Sequence, residues 1–281
     1  THLLDETVDP VETVRFLADE RCTHAGTGTP FYLMYLAAQE RQADPLFPDL
    51  KVCPGGGAPI PPAIHRRVVE ELGGVGVASG WGLTEAPVLT NGAVDDPDQK
   101  LATSEGRALP GVDLVAVGDD GEPCPPGVEG ELRAKGPQVM LGYVDSSLDA
   151  EAFDGDGYYR TGDLGIIDDD GYVVITGRLK DIIIRHGENI SAKEVEDLLF
   201  TLDAVADAAV IGVPDERTGE RVCAVVVPAE GAEPTLDTIG ARLRDAGLRT
   251  QALPERLELV DTLPRNPAGK VRKRELQDRF G

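Results

Sequence analysis

Apolar residues near the start of the chain recur at helical spacing. Val11, Val14 and Leu17 fall on one face of a predicted helix. The preceding Asp9-Pro10 pair is typical of a helix start, because aspartate caps free backbone N–H groups and proline fits the first turn. A second helix is predicted in the stretch FYLMYLAAQ.

The next segment alternates apolar runs with an amphipathic helix. The runs LKVC and VGVASGWG indicate short buried strands, and between them a helix carries Ile64, Val68 and Leu72 on one face. A strand–helix–strand order is typical of α/β proteins. We therefore predict an α/β region over residues 1–100.

Beyond residue 100 the apolar runs become short and are separated by Gly, Asp and Pro. The segments VDLVAV, GELRAKG and GIIDDDGYVVITG are typical of strands. Asp170-Gly171 predicts a hairpin turn within the last of them. We expect residues 101–176 to form a β-rich subdomain, either a small barrel or a sandwich.

A third pattern begins at Gly177. Ser191 and Glu194 have the spacing of a capping box at the start of an amphipathic helix. The runs AVADAAVIGV, RVCAVVVP and RLELV indicate strands, and a further helix is predicted over residues 235–248. Residues 177–281 therefore form a predicted small α+β domain that follows a first domain, residues 1–176.

Composition and charge exclude several classes of protein. Apolar residues make up 41% of the chain, which is enough for ordinary globular cores. No apolar run approaches the roughly 18 residues of a membrane span, and the acidic stretch THLLDETVDP resembles neither a signal nor a transit peptide. The net charge of −23 repels nucleic acid and anionic membranes, so we expect neither as a partner.

The cysteines are scattered along the chain. Cys22, Cys53, Cys124 and Cys223 form no C-x-x-C pair and have no histidine at metal-ligand spacing. We therefore expect neither a structural metal nor a disulfide framework. Free thiols are typical of a reducing compartment, and we predict a cytoplasmic location.

Basic residues in this acidic chain are concentrated in two segments. GRLKDIIIRHGENISAKEVE contains Arg178 and Lys180, although a solvated hairpin face is the alternative interpretation. PRNPAGKVRKREL contains five basic residues and no acidic one between Arg265 and Arg274. A flexible basic tail is the alternative there, but Pro-Ala-Gly before Lys270 favours a turn.

Two further segments carry groups that suit a nucleotide. In YYRTGDLG, Asp163 is predicted to lie in a Gly-flanked turn, where its carboxylate can accept two hydrogen bonds from a ribose diol. In GWGLTEAP, Trp81 can stack on a planar base and Glu85 can hold Mg²⁺ near phosphates. Taken singly, each has a simpler interpretation, namely a surface turn, a core tryptophan and a surface glutamate.

The order and spacing of these motifs resemble the acyl-CoA synthetases of the adenylate-forming (AMP-binding) superfamily. PGGGAP, GWGLTEA, GELRAKGPQVMLGY, YRTGDL, GRLKDIIIRHGENI and NPAGKV match successive family motifs from near residue 50 to the end. The resemblance implies ATP-dependent activation of a fatty or other carboxylic acid through an acyl-adenylate, then transfer to CoA. It also implies the remainder of a large α/β domain with a β-barrel-like subdomain, followed by a small mobile α+β domain.

The resemblance assigns roles to individual residues. The catalytic residues would be Lys270, Thr84 and Glu85, and Glu85 would also hold Mg²⁺. A lysine between the carboxylate and the α-phosphate offsets the repulsion between two anions. The nucleotide would contact a larger set: Gly57, Ala58, Pro59, Trp81, Gly82, Thr84, Asp163, Arg178 and Lys270.

The remaining roles concern thioester formation. His186, Gly187 and Glu188 would lie beside the pantetheine channel of CoA. Lys180 occupies the position of the hinge about which the small domain rotates between half-reactions. The resemblance implies ATP, Mg²⁺, CoA and a carboxylic acid as ligands, without a tightly bound prosthetic group.

The stretch THAGTGTP, residues 23–30, resembles a phosphate loop only in composition. It lies too close to PGGGAP, no lysine follows it, and the next residues continue into an apolar helix. We interpret it as a turn between a strand and a helix. We therefore expect the family's phosphate loop to be absent here and the chain to be inactive alone, with the missing N-terminal half or a second copy as its companion.

Two alternative functions stay open from the sequence. One is an adenylation domain that passes its acyl group to a carrier protein. The other is a non-catalytic fragment or pseudoenzyme that only binds a ligand or partner. The presence of Lys270, Glu85 and Asp163 argues against the second alternative.

Overall fold

The computed structural model of the protein describes residues 9–26, 28–57, 60–266 and 269–281. The chain divides into two compact units. The first unit comprises Thr1–Gly82 and Val88–Leu109, and the second comprises Leu83–Pro87 and Pro110–Gly281. Within the described residues, no helix combines the length and the apolar character that crossing a bilayer requires.

In the first unit, helices pack around very short strands. The helices are α1 (Pro10–Asp19), α2 (Thr29–Gln39), α3 (Pro62–Glu71) and α4 (Asp98–Thr103). The strands are β1 (Cys53–Pro54), β2 (Val77–Ala78), β3 (Thr90–Asn91) and β4 (Arg107–Ala108). Strands β1 and β2 pair in parallel, and β3 and β4 pair antiparallel.

The core of the first unit follows the predicted strand–helix–strand order. Asp9 caps α1 by accepting a hydrogen bond of 2.9 Å from the Glu12 backbone N–H, as predicted. Helices α2 and α3 contribute buried side chains that pack against Cys53 of β1. The buried Tyr32 hydroxyl contacts the Pro54 carbonyl oxygen at 2.8 Å. The strands themselves are only two residues long, shorter than the apolar runs predicted.

The second unit begins with an antiparallel sheet of four consecutive strands. These are β5 (Asp113–Val117), β6 (Gly130–Lys135), β7 (Tyr159–Ile167) and β8 (Val173–Arg178), with α5 (Asp149–Ala152) between β6 and β7. The sheet order is β5-β6-β7-β8, and the β7–β8 hairpin is the one predicted from Asp170-Gly171. The expected closure of these strands into a barrel is wrong. The edge strands β5 and β8 do not pair, and about eight strands are typical of a closed barrel.

A second sheet carries helices on both faces. Its strands are β9 (Ile182–Arg185), β10 (Glu188–Ser191), β11 (Val205–Asp215), β12 (Gly219–Pro228) and β13 (Arg256–Leu259). Its helices are α6 (Ala192–Leu199), α7 (Leu236–Asp245) and α8 (Lys273–Phe280). Val210 faces a core shared with α6 and α7, whereas Ile211 packs in the core that includes Leu276 of α8. This alternation explains why the central residues 208–213 of β11 are all apolar.

The fold class predicted from the sequence, α/β plus α+β, is therefore confirmed. The cap of α6 differs in detail from the prediction. The Ser191 side chain accepts a bond of 3.4 Å from the Glu194 backbone N–H. The reciprocal capping box is found at α7 instead, between Thr235 and Thr238.

Candidate active site

A tight turn presents Thr84 and Glu85 to solvent. The residues on either side, Leu83 and Ala86, pair antiparallel through backbone hydrogen bonds of 3.0 and 3.1 Å. Thr84 is exposed and Glu85 is partly exposed. Two adjacent side chains that the motif match assigns to phosphate and Mg²⁺ therefore share one accessible turn.

Glu85 is hydrogen-bonded at two points to a later segment of the second unit. Its backbone carbonyl accepts from the Met140 N–H at 2.7 Å, and its Oε1 accepts from the Tyr143 hydroxyl at 3.2 Å. The described residues contain no group of three or more His, Cys, Asp or Glu side chains able to hold a metal. A single carboxylate suits Mg²⁺ whose other ligands are phosphates and water.

Trp81, Gly82 and Gly57 lie in the first unit. Trp81 is only 7% exposed, and its backbone N–H donates to the Thr90 hydroxyl at 3.1 Å. Gly57 is exposed with a φ of +74°. Stacking of Trp81 on a base stays a prediction, and the remaining pair assigned to the nucleotide, Ala58 and Pro59, lies outside the described residues.

Asp163 and Arg178 form a cross-strand ion pair between β7 and β8. The two residues are register partners, and Arg178 Nε lies 2.8 Å from Asp163 Oδ1. Asp163 is 3% exposed, whereas the Arg178 side chain is 39% exposed. The predicted tight turn at Asp163 is wrong, because Asp163 lies within strand β7. The glycines near it accompany an irregularity in the pairing of β7 with β8.

Lys270 lies at the end of a hydrogen-bonded turn. The Gly269 N–H donates to the Asn266 carbonyl at 2.8 Å, and the Lys270 N–H donates to Asn266 Oδ1 at 2.9 Å. Arg265 bonds the Gly269 carbonyl at 2.6 Å and Asp207 Oδ2 of β11 at 2.5 Å. These bonds join Asn266 to Gly269 and Lys270, while Pro267 and Ala268 of the predicted turn lie outside the described residues.

The electrostatic surroundings of Lys270 bring distant parts of the sequence together. Partial desolvation, followed by the positive charge of Arg178, lowers the pKa of Lys270 below its ordinary value of 10.5. The Asp163 carboxylate opposes this change, and Lys180 adds to it. The Lys270 ammonium is thus within electrostatic range of Arg178, Lys180 and the buried Asp163 carboxylate. Such a combination of charges suits a nucleotide with its ribose and phosphates.

Lys180 lies in the connection between the two sheets of the second unit. It is the exposed middle residue of a 3₁₀ turn, Leu179–Asp181, which joins β8 directly to β9. A three-residue link without buried side chains can absorb a change in backbone dihedral angles. This position is compatible with the predicted hinge, which stays a prediction.

His186 and Gly187 form the two-residue turn of the β9–β10 hairpin. Their φ values are +52° and +79°, as a type I′ turn requires, and glycine adopts such values without strain. The His186 N–H donates to the Thr218 carbonyl at 2.8 Å. His186, Gly187 and Glu188 are all exposed. The hairpin therefore offers an ordered, accessible rim, while its role toward CoA stays a prediction.

Sequence reasoning assigned no role to several residues that hold the predicted ones. Tyr143 contacts Glu85, and Asn266 and Arg265 fix the turn of Lys270. Tyr143 ends the quoted motif GELRAKGPQVMLGY, and Asn266 lies within NPAGKV. The motifs thus contained the signal, but only the structure identifies which group each residue contacts.

Comparisons with known proteins found matching family models and relatives. The family model described as AMP-binding enzyme matches residues 1–144, and the one described as AMP-binding enzyme C-terminal domain matches residues 194–270. The medium-chain fatty-acid–CoA ligase of Escherichia coli (strain K12) is 37% identical over 266 residues. That alignment covers 94% of this chain and 46% of the relative.

Two further relatives extend the comparison. The salicyl-AMP ligase/salicyl-S-ArCP synthetase of Mycobacterium tuberculosis is 38% identical over 276 residues, which cover 97% of this chain and 48% of that protein. The structure of ATP-bound MatB from Rhodopseudomonas palustris superposes with a TM-score of 0.85 at 32% identity, covering 98% of this chain and 54% of that one. The chain thus spans about half the length of the curated relatives it matches.

Proposed function

Because the chain belongs to the family of AMP-binding enzymes, we propose that it forms the C-terminal half of an acid–CoA ligase. The parent reaction joins a carboxylic acid to CoA at the expense of ATP, which becomes AMP and pyrophosphate. The observation that carries this proposal is the convergence of Asp163, Arg178 and Lys270 in the second unit. A surface turn and a flexible basic tail, the simpler interpretations, predict no such convergence.

The first half-reaction forms an acyl-adenylate. A carboxylate oxygen of the acid attacks the α-phosphorus of ATP, and pyrophosphate leaves. Lys270 offsets the repulsion between the two anions, and Thr84 donates its hydroxyl to the α-phosphate. Asp163 accepts the ribose hydroxyl hydrogens, and Arg178 and Gly82 also contact the nucleotide. Trp81 stacks on the adenine, and the motif match assigns the adenine and acyl groups to Gly57, Ala58 and Pro59. Glu85 would hold Mg²⁺, which would supply positive charge at the phosphates.

The second half-reaction releases the acyl group. The thiol of CoA attacks the acyl carbonyl carbon, AMP leaves with the bridging oxygen, and the thiol proton passes to solvent. His186, Gly187 and Glu188 border the path of the pantetheine arm. Their exposure on an ordered hairpin supports this role.

We propose that one site serves both half-reactions through rotation about Lys180. The boundary between residues 1–176 and residues 177–281 then falls within β8, two residues before the short link Leu179–Asp181 that leads into β9. Within the first domain, residues 1–100 form the α/β part and residues 101–176 the β-rich part. The free thiols of all four cysteines support the cytoplasm as its compartment.

A carrier protein is the second candidate for the acyl acceptor. Similarity to a salicyl-S-ArCP synthetase over 97% of this chain favours it, as similarity to an acyl-CoA ligase over 94% favours CoA. Both candidates share the first half-reaction and differ only in the thiol. The proposal includes a companion polypeptide or a second copy of the chain. It leaves the acid to be identified by the test that follows.

The test uses the longest native polypeptide that contains this sequence. It is incubated with ATP, Mg²⁺ and a panel of acids from acetate to long-chain and aromatic acids, and pyrophosphate release is measured. We expect acid-dependent release, and thioester formation when CoA is added. Thioester formation only on a phosphopantetheinylated carrier protein supports the second candidate. Nucleotide binding without pyrophosphate release from any acid contradicts both and supports a non-catalytic role.

A further inference from the structure

The Glu85 carboxylate is oriented by a side chain to which the motif match gives no role. Tyr143 donates its hydroxyl to Glu85 Oε1 at 3.2 Å, while the Met140 N–H fixes the Glu85 carbonyl at 2.7 Å. One bond thus holds the backbone of the turn and the other selects a side-chain direction. A glutamate on an exposed turn otherwise samples many rotamers.

Tyr143 is itself anchored from the opposite side. Its backbone N–H donates to Asp149 Oδ1 at 2.8 Å. The preceding residue, Gly142, has a φ of +156°, and a Cβ there would lie 2.8 Å from Asp149 Oδ2. Glycine therefore permits the close approach of Asp149 that fixes the Tyr143 backbone.

The hydroxyl of Tyr143 also meets that of Tyr159 at 3.4 Å. Tyr159 is 6% exposed and packs edge-on against Phe153, with ring centroids 5.6 Å apart. Burial, then the bond to Tyr143, raises the pKa of Tyr159, so its hydroxyl keeps its proton. Since Tyr143 donates to the carboxylate, its oxygen accepts from Tyr159. The donors therefore point in one direction, from the buried Tyr159 to Glu85.

We propose that Tyr143 is a positioning residue that orients the Glu85 carboxylate toward the Mg²⁺ of the bound nucleotide. The bond engages Oε1 and leaves Oε2 for a metal ion, and Glu85 shares its turn with the exposed Thr84, where the phosphates are proposed to bind. This inference rests on the proposed function. Partners that orient a metal-binding group typically change metal affinity by about 10- to 100-fold when removed.

The test measures Mn²⁺ binding, with Mn²⁺ as a paramagnetic probe for Mg²⁺. The longest native polypeptide is saturated with a non-hydrolysable ATP analogue and titrated with Mn²⁺ under electron paramagnetic resonance. We expect Tyr143→Phe to weaken Mn²⁺ binding roughly 10-fold or more, because only the hydroxyl is lost. A Glu85→Gln variant should lose the same affinity, and the double variant should lose little more.

Tyr158→Phe is the matched control, since the Tyr158 hydroxyl also donates to a carboxylate, Asp113 Oδ2, at 2.6 Å. It should leave Mn²⁺ binding unchanged. Should Tyr143→Phe fail to fold, Asp149→Ala frees the Tyr143 backbone and should weaken Mn²⁺ binding in the same direction. Equal Mn²⁺ affinity in wild type and a folded Tyr143→Phe overturns the inference alone. Absence of nucleotide-dependent Mn²⁺ binding in the wild type overturns the proposed function with it.

Discussion

Replacing Asp163 by alanine should abolish the proposed preference of the protein for the ribose hydroxyls of ATP. The Oδ1 atom of Asp163 lies 2.8 Å from Nε of Arg178. A carboxylate has about four acceptor sites on its two oxygens. The Asp163 carboxylate can therefore pair with Arg178 and still accept hydrogen bonds from ribose hydroxyls. Because Asp163 is 3% exposed, we expect the more exposed Arg178 side chain to shift when the ribose binds.

The expected magnitude follows from these contacts. A hydrogen bond to a charged group contributes about 1.5–3 kcal/mol, which corresponds to roughly 10- to 150-fold in affinity. The wild type should therefore prefer ATP over 2′-deoxy-ATP and over 3′-deoxy-ATP by such a factor. The loss of folding stability should stay below about 3 kcal/mol, since the 39% exposed Arg178 can turn to water once its partner is gone.

Calorimetric titration of the longest native polypeptide with the three nucleotides is the assay, with thermal unfolding of each variant as the control for folding. In the Asp163→Ala variant, the three affinities should agree to within about threefold. That difference in binding free energy is smaller than the contribution of one hydrogen bond to a charged group. A variant that retains the wild-type preference for ATP would show that residues other than Asp163 bind the ribose hydroxyls. Affinities that are already equal in the wild type would refute the assignment of Asp163 to the ribose.

Three further predictions concern other residues of the chain. Lys270→Ala should slow adenylation by about 10²–10³ while sparing thioester formation from preformed acyl-adenylate; equal loss in both would contradict the assigned division of labour. Lys180→Pro should fix φ near −65°, so pyrophosphate exchange should persist while CoA-dependent release collapses, whereas Lys180→Ala should change little. Burial raises the pKa of Cys53 to about 12 and that of Cys223 to about 11, so at pH 8 a thiol-reactive disulfide should label these two only after unfolding; rapid labelling of all four cysteines in the folded protein would contradict this.

Much of the fold could be predicted because local pattern and tertiary packing agree. The Asp9 cap of α1 and the apolar run of β11 each follow from sequence and are found as expected. The predicted barrel failed because strand patterns predict strands but not whether the edge strands β5 and β8 pair. Closure depends on strand number and stagger, which a pattern of apolar residues does not encode.

The candidate site was predictable in its members but not in its contacts. Motifs indicated Asp163, Arg178 and Lys270 separately, although more than 90 residues separate Arg178 from Lys270. Arg265, which bonds Gly269 next to Lys270, also bonds Asp207 of β11, a tertiary contact that no motif indicates. The bond from Tyr143 to Glu85 spans 58 positions and could not be found by spacing alone. Helical and strand periodicities report only neighbours a few residues apart.

The central claim is that the native polypeptide containing this sequence activates a carboxylic acid as an acyl-adenylate, and it is tested most directly by following a carboxylate oxygen. The substrate acid identified in the pyrophosphate-release panel is labelled with oxygen-18 in its carboxylate and converted with ATP and CoA, and the products are analysed by mass spectrometry. Attack of the carboxylate on the α-phosphorus predicts one labelled oxygen in AMP and none in pyrophosphate. Label in inorganic phosphate together with ADP would indicate an acyl-phosphate instead, and would contradict the account.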